Sequence, residues 1–111
     1  MVKCWGSGNS FGLGVTNYKG NDANEMGSNL GFVELGIGRT ATAIASGRYH
    51  TCAILDNASV KCWGYNNDSQ LGIGNTNNMG DSANEMGDNL PAVDLGTGRT
   101  AIAIDAGWEH T

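Results

Sequence analysis

The chain has 111 residues, one domain or less, and its 40% hydrophobic content is enough for a core. A net charge of −5, with only six scattered Lys and Arg, excludes the clustered basic face that nucleic-acid binding needs. No apolar run approaches the ~18 residues of a membrane span, and no basic-then-apolar leader opens the sequence, so a signal peptide, if there is one, lies outside it.

In chain order, residues 2–5 read as a short strand ended by Gly6. Residues 7–31 are loop-like, dense in Gly, Asn and Ser. Residues 32–35 (F-V-E-L) form a second strand signal, closed by Gly36 and Gly38. Residues 41–46 (A-T-A-I-A-S) form a third, with small residues on one face. Residues 50–55 and 59–63 are the arms of a hairpin, with turn chemistry at Asp56 and Asn57. A second long loop covers 65–90, and residues 92–95 and 101–106 repeat the second and third strands. No helical period persists, so the fold class is all-β.

The chain repeats itself. Val2-Lys3-Cys4-Trp5-Gly6 returns 58 positions later as Val60-Lys61-Cys62-Trp63-Gly64. Asn24-Glu25-Met26-Gly27 returns 60 positions later, as do Leu35-Gly36 and Gly38-Arg39-Thr40-Ala41. Gly47-Arg48-Tyr49-His50-Thr51 is echoed by Gly107-Trp108-Glu109-His110-Thr111. The second loop therefore carries two extra residues, which a surface loop tolerates. A period near 60 with about four short strands matches a propeller blade better than a solenoid turn.

Three segments carry a resemblance to a known family: W-G-x-N-x-x-x-Q-L-G-x-G from Trp63, G-D-x-x-N-E-M-G-D-N-L-P-x-V-D-L-G from Gly80, and A-x-A-I-x-A-G-x-x-H-T with its C-A-I-L sequel. Together they resemble the regulator-of-chromosome-condensation repeat. The first copy departs from the pattern, with Phe11-Gly12 set against Gln70-Leu71 and Gly31 against Pro91. The resemblance implies a β-propeller of four-stranded antiparallel blades, usually seven, of which this chain holds about two repeats. Residues 1–40 are then the outer half of a first blade with its long loop, 41–96 a complete blade, and 97–111 the start of a following blade. Fold does not fix function here, because the family spans exchange factors, ubiquitin ligase accessories and secreted proteins.

The residues bear on function mostly by exclusion. Cys52 and Cys62 stand directly opposite if the hairpin loop is Asp56-Asn57-Ala58, and a disulfide is expected there. A two-residue loop would make the pair diagonal and leave two buried thiols. Cys4 repeats Cys62 but has no partner arm before it, which makes it an interchain or missing-partner thiol. Trp5 and Trp63 are expected to fill the gap between blades. Leu35, Leu95, Ile44 and Ile104 read as core. His50 and His110 occupy equivalent turns without a carboxylate or Cys at ligand spacing, so both are expected to be structural. Arg39 and Arg99 are expected to lay their stems on the links between strands and bond carbonyls or carboxylates. The loop acids Asp22, Glu25, Asp68, Asp81, Glu85 and Asp88 lack a calcium-loop pattern and read as solvated acids or Asx turns. Asn57 and Asn67 begin N-glycosylation sequons.

No catalytic constellation, cofactor motif or metal set emerges. The expectation is a non-enzymatic structural or interaction module, extracellular, whose partners are proteins or copies of itself joined head to tail. The alternative is an intracellular exchange factor or adaptor of the nuclear type, cytoplasmic or nuclear.

Overall fold

A computed structural model describes residues 1–6 and 11–111. The opening of the first long loop, residues 7–10, lies outside the described residues. Its centre is one antiparallel sheet of three strands in the order β1 (Ala41–Ser46), β2 (His50–Leu55) and β3 (Val60–Gly64). Strand β1 is the exposed edge, with Ala41, Ala43 and Ala45 half-buried and Thr42, Ile44 and Ser46 turned out. Strands β2 and β3 are buried on both faces, which explains their near-continuous apolar runs.

The two faces make two cores. Ala53, Leu55 and Trp63 pack on Val33, Leu35 and Leu90, with Val2, Cys4 and Met86 at the margin. Cys52, Ile54, Val60 and Cys62 pack with Leu71 on the other side, with Val93, Ala101 and Ile104 beside them. The period of two along β2 sorts these residues between faces.

The hairpin turn fixes the register. Leu55 and Ser59 close the loop through Leu55 N–H to Ser59 C=O at 2.9 Å, and Ala58 N–H bonds Leu55 C=O at 2.9 Å. Ala58 sits at φ +63°, the left-handed third position of a three-residue hairpin loop. Asn57 Oδ1 accepts from Ser59 N–H at 3.1 Å and from Ser59 Oγ at 2.7 Å, which pins the turn. This register sets Cys52 directly across from Cys62.

The internal repeat is geometric as well as sequential. The lone bridge Gly6–Lys19 is matched by Gly64–Met79. Single-turn 3-10 helices occur at Gly27–Asn29 and Gly87–Asn89. Lys3 Nζ donates to Gly27 C=O and Lys61 Nζ to Gly87 C=O, each at 2.7 Å. Val33 N–H bonds Val2 C=O, and Val93 N–H bonds Val60 C=O, each at 2.8 Å.

Several sequence expectations are corrected. Residues 2–5, 32–35, 92–95 and 101–106 are not strands. Two of these segments run beside their partners with the single Val33 and Val93 bonds just described rather than a ladder. Phe11 pairs in the repeat with Leu71, not with Gln70: both are fully buried, and Gly12 and Gly72 follow them at φ +68° and +63°. The two extra residues thus fall between Gly64 and Leu71, opposite 7–10. Ile44 is 50% exposed and Leu95 46%, so neither is core. Ile44 projects from the free face of an edge strand, and Leu95 from the end of a segment that nothing among the described residues covers.

Candidate functional site

The sheet's second face opens onto a cavity of about 620 Å³ whose walls include Val60, Cys62, Leu71, Val93, Leu95 and Ile104. The disulfide Cys52–Cys62 underlies it, with Cα atoms 4.0 Å apart across the ladder. Cys4 is a half-buried free thiol, and burial pushes its pKa up.

At one end of the cavity a polar cluster closes on Thr111. Its hydroxyl donates to Gln70 C=O at 3.0 Å and lies 3.0 Å from His50 Nε2 and 3.7 Å from Cys52 Sγ. The single hydroxyl proton goes to Gln70, so the hydroxyl oxygen accepts from His50, which is thereby assigned as the Nε2–H tautomer. His50 Nδ1 is then a buried acceptor without a hydrogen bond. Burial holds the imidazole below its ordinary pKa, while the His110 backbone carbonyl pulls the other way.

His50 and His110 share a turn but not an environment. Gly47 N–H bonds His50 C=O and Gly107 N–H bonds His110 C=O, both at 2.9 Å. The turn is therefore closed by the histidine backbone, not by the ring. Each ring lies against its own glycine so closely that a Cβ on Gly47 or Gly107 would overlap it. His50 is fully buried and His110 exposed.

The tryptophans also differ. Trp63 is fully buried, with Gly12 and Met86 against its indole. Trp5, expected to fill a gap between blades, is 62% exposed. Its ring edges Gly20, as Met26 does, but among the described residues nothing plays the part that Gly12 plays for Trp63. Arg39 and Arg99 are exposed, their stems lying over Gly36 and Gly96 respectively. Arg39 Nε reaches Asp56 Oδ1 at 3.6 Å.

The loop acids do more than face solvent. Glu25 Oε2 accepts from the N–H groups of Gly20 (2.9 Å) and Asp22 (3.2 Å). Glu85 Oε2 does the same for Gly80 (2.9 Å) and Ser82 (3.1 Å). Asp88 Oδ1 accepts from Ile37 N–H at 3.3 Å. Among the described residues no group of three or more His, Cys, Asp or Glu could hold a metal, and no helix is long and apolar enough to cross a membrane. Asn57 and Asn67 are both exposed.

Two residues with structural weight escape a reading by motif. Asn66 is fully buried and donates to Asn75 C=O (2.8 Å) and Asn77 C=O (2.9 Å), while its Oδ1 takes Leu71 N–H (3.0 Å). Its place in the W-G-x-N signature was the available signal. Lys61 is buried, its pKa lowered first by desolvation, with Asp88 opposing. Its repetition as Lys3 was the signal there.

Residues 41–70 match the model of the Regulator of chromosome condensation (RCC1) repeat. The match spans β1, β2, β3 and the Asn66 turn, so this family repeat is built around the disulfide-bridged sheet. No curated protein matches the chain. The chain is all-β around this three-stranded sheet, and a repeat of this family suggests an interaction module.

Proposed function

We propose that the chain is part of a regulator-of-chromosome-condensation-like propeller, working outside the cell as a non-enzymatic interaction module. One observation carries this reading. Val2, Cys4, Val33 and Leu35 pack beneath Ala53, Leu55 and Trp63 of the next sheet. Their repeat images, Val60, Cys62, Val93 and Leu95, line the open cavity instead. A surface that the sheet covers in one repeat, and whose image borders an open cavity in the next, supports another unit of the same kind.

In this reading residues 1–40 are the outer half of one blade, 41–96 a blade of three strands with residues 92–95 running beside β3 through the Val93 bond, and 97–111 the start of a third. The next unit is a continuation of the polypeptide or another copy joined head to tail, which forms a ring or filament depending on closure. Cys4 would meet a cysteine from a neighbouring hairpin. The Cys52–Cys62 disulfide supports an oxidising compartment over the intracellular exchange-factor or adaptor alternative. Asn57, and secondarily Asn67, would accept a glycan in a eukaryotic secretory host.

Sedimentation and thiol titration of protein from its native source test the reading. The expected result is a species larger than the 111-residue chain, with Cys52 and Cys62 resistant to alkylation until reductant is added. A compact monomer of this chain with freely alkylated Cys52 and Cys62 would sink it.

A further inference from the structure

We infer that the cleft at the loop end of the sheet, between Arg48, Tyr49, Tyr65 and Trp108, binds a ring of a neutral sugar. Its scaffold is the repeated Gly-x-x-His-Thr turn. Gly47, His50 and Thr51 recur as Gly107, His110 and Thr111, but the pair between them changes from Arg48-Tyr49 to Trp108-Glu109. All four of these changing side chains line the same cleft of about 330 Å³. Constant scaffold residues thus bring the variable ones to one place, as loops on a rigid frame do at binding sites.

The walls are held from behind. Arg48 N–H bonds Trp108 C=O at 3.4 Å, and Tyr65 N–H bonds Tyr49 C=O at 2.8 Å. The Arg48 guanidinium carbon lies 4.8 Å from the Tyr49 ring centre and 4.6 Å from that of Trp108. Tyr49 and Tyr65 meet edge to face at 6.1 Å. Asp68 and Glu109 stand on the rim, and Gln70 Oε1 is fixed by Asp68 N–H at 3.0 Å. Trp108 is nonetheless 69% exposed and Tyr49 41%.

Chemistry selects the ligand class. Arg48 disfavours a cation, and Asp68 with Glu109 disfavours an anion. A neutral polyol suits both signs at once, since each hydroxyl can accept from the guanidinium and donate to a carboxylate. Its C–H face can lie on an aromatic ring. The volume is at the low end of the ~300–1,000 Å³ of small-molecule sites, which fits one or two rings rather than a long chain.

This inference is independent of the propeller reading, because every wall residue lies within the described chain. The test is an array of neutral, sialylated and sulfated glycans probed with the 111-residue protein, followed by titration of the best neutral disaccharide. Neutral glycans are expected to bind. Trp108→Ala should weaken binding about tenfold, and Arg48→Lys, which keeps the charge but loses the planar donors, several-fold. Trp5→Ala, an exposed tryptophan outside this cleft, should leave it unchanged. Far-UV circular dichroism and the unfolding midpoint should match wild type for all three. Retention of no neutral glycan, retention of charged glycans only, capture through Trp5, or equal binding by Trp108→Ala would each overturn it.

Discussion

Ala58 occupies a left-handed backbone position that a Cβ disfavours by ~1 kcal/mol or more. Glycine there should relieve the strain while keeping the Asn57 and Ser59 bonds. Ala58→Gly is expected to raise stability by about 0.5–1 kcal/mol, read as a higher denaturation midpoint. A lower midpoint would show that the turn is held by something other than backbone geometry. Gly47 is the opposite case. An added Cβ meets both the His50 ring and the Gly107 carbonyl oxygen, and a backbone atom cannot swing aside. Gly47→Ala should cost roughly 1–3 kcal/mol. His50 gives a pH dependence whose sign follows from burial. Its imidazole binds protons less readily folded than unfolded, so the unfolded state gains protons first on acidification. Stability should be complete above the ordinary histidine pKa of about 6.5 and fall as pH drops below it. His50→Gln should flatten that fall below pH ~6.5, measured by urea unfolding. An unchanged slope would assign the dependence to other groups.

At the scale of elements, the β2–β3 hairpin is covalently closed as well as hydrogen-bonded. The disulfide spans a separation of 10 residues, for which chain-entropy arguments give about 2–3 kcal/mol. The Cys52→Ala/Cys62→Ala double variant should lose stability of that order, and reductant should produce the same loss in the wild type. This hairpin was the most readable part of the sequence. Its apolar arms, turn residues and facing cysteines are all local signals that agree with the register found. The flanking segments were less readable. F-V-E-L at 32–35 has strand composition, yet it meets residues 2–5 through one backbone bond from Val33. Propensity favours extension but does not supply the partner edge that a ladder needs. Ile44 and Leu95 were misjudged for a related reason, since hydrophobicity does not reveal which face lacks a neighbour. Asn66 shows a third kind of gap: an asparagine that looks like a loop residue is the buried hub of the 65–79 loop. Asn66→Ala would strand two carbonyls and the Leu71 amide, and a loss of about 2–3 kcal/mol is expected by chemical denaturation.

For the whole molecule, the repeat makes stability a question of neighbours. The body extends 46 × 30 × 24 Å, with the first repeat's apolar residues under one face of the sheet and the cavity at the other. In a repeat array each interface adds its own stabilisation, and an uncovered terminal interface forfeits it. Thr111 is the repeat image of Thr51, so the sequence of residues 52–96 can be appended after Thr111 in register. The added hairpin would bring a second copy of Ala53, Leu55 and Trp63 onto Val60, Val93 and Leu95, as the existing copy sits on Val2, Val33 and Leu35. The extended protein should unfold in one transition, at higher denaturant and with a larger m-value than the 111-residue chain, because more surface is buried cooperatively. Val93→Glu in the extended protein places a charge in the new interface and should return the midpoint toward that of the shorter chain. The same substitution in the shorter chain falls on a half-buried position at the margin of the second core, beside the cavity, and should cost less than in the extended protein. Two separate transitions, or an unchanged midpoint for the original part, would mean that the apolar face beside β3 is not a surface for stacking repeats.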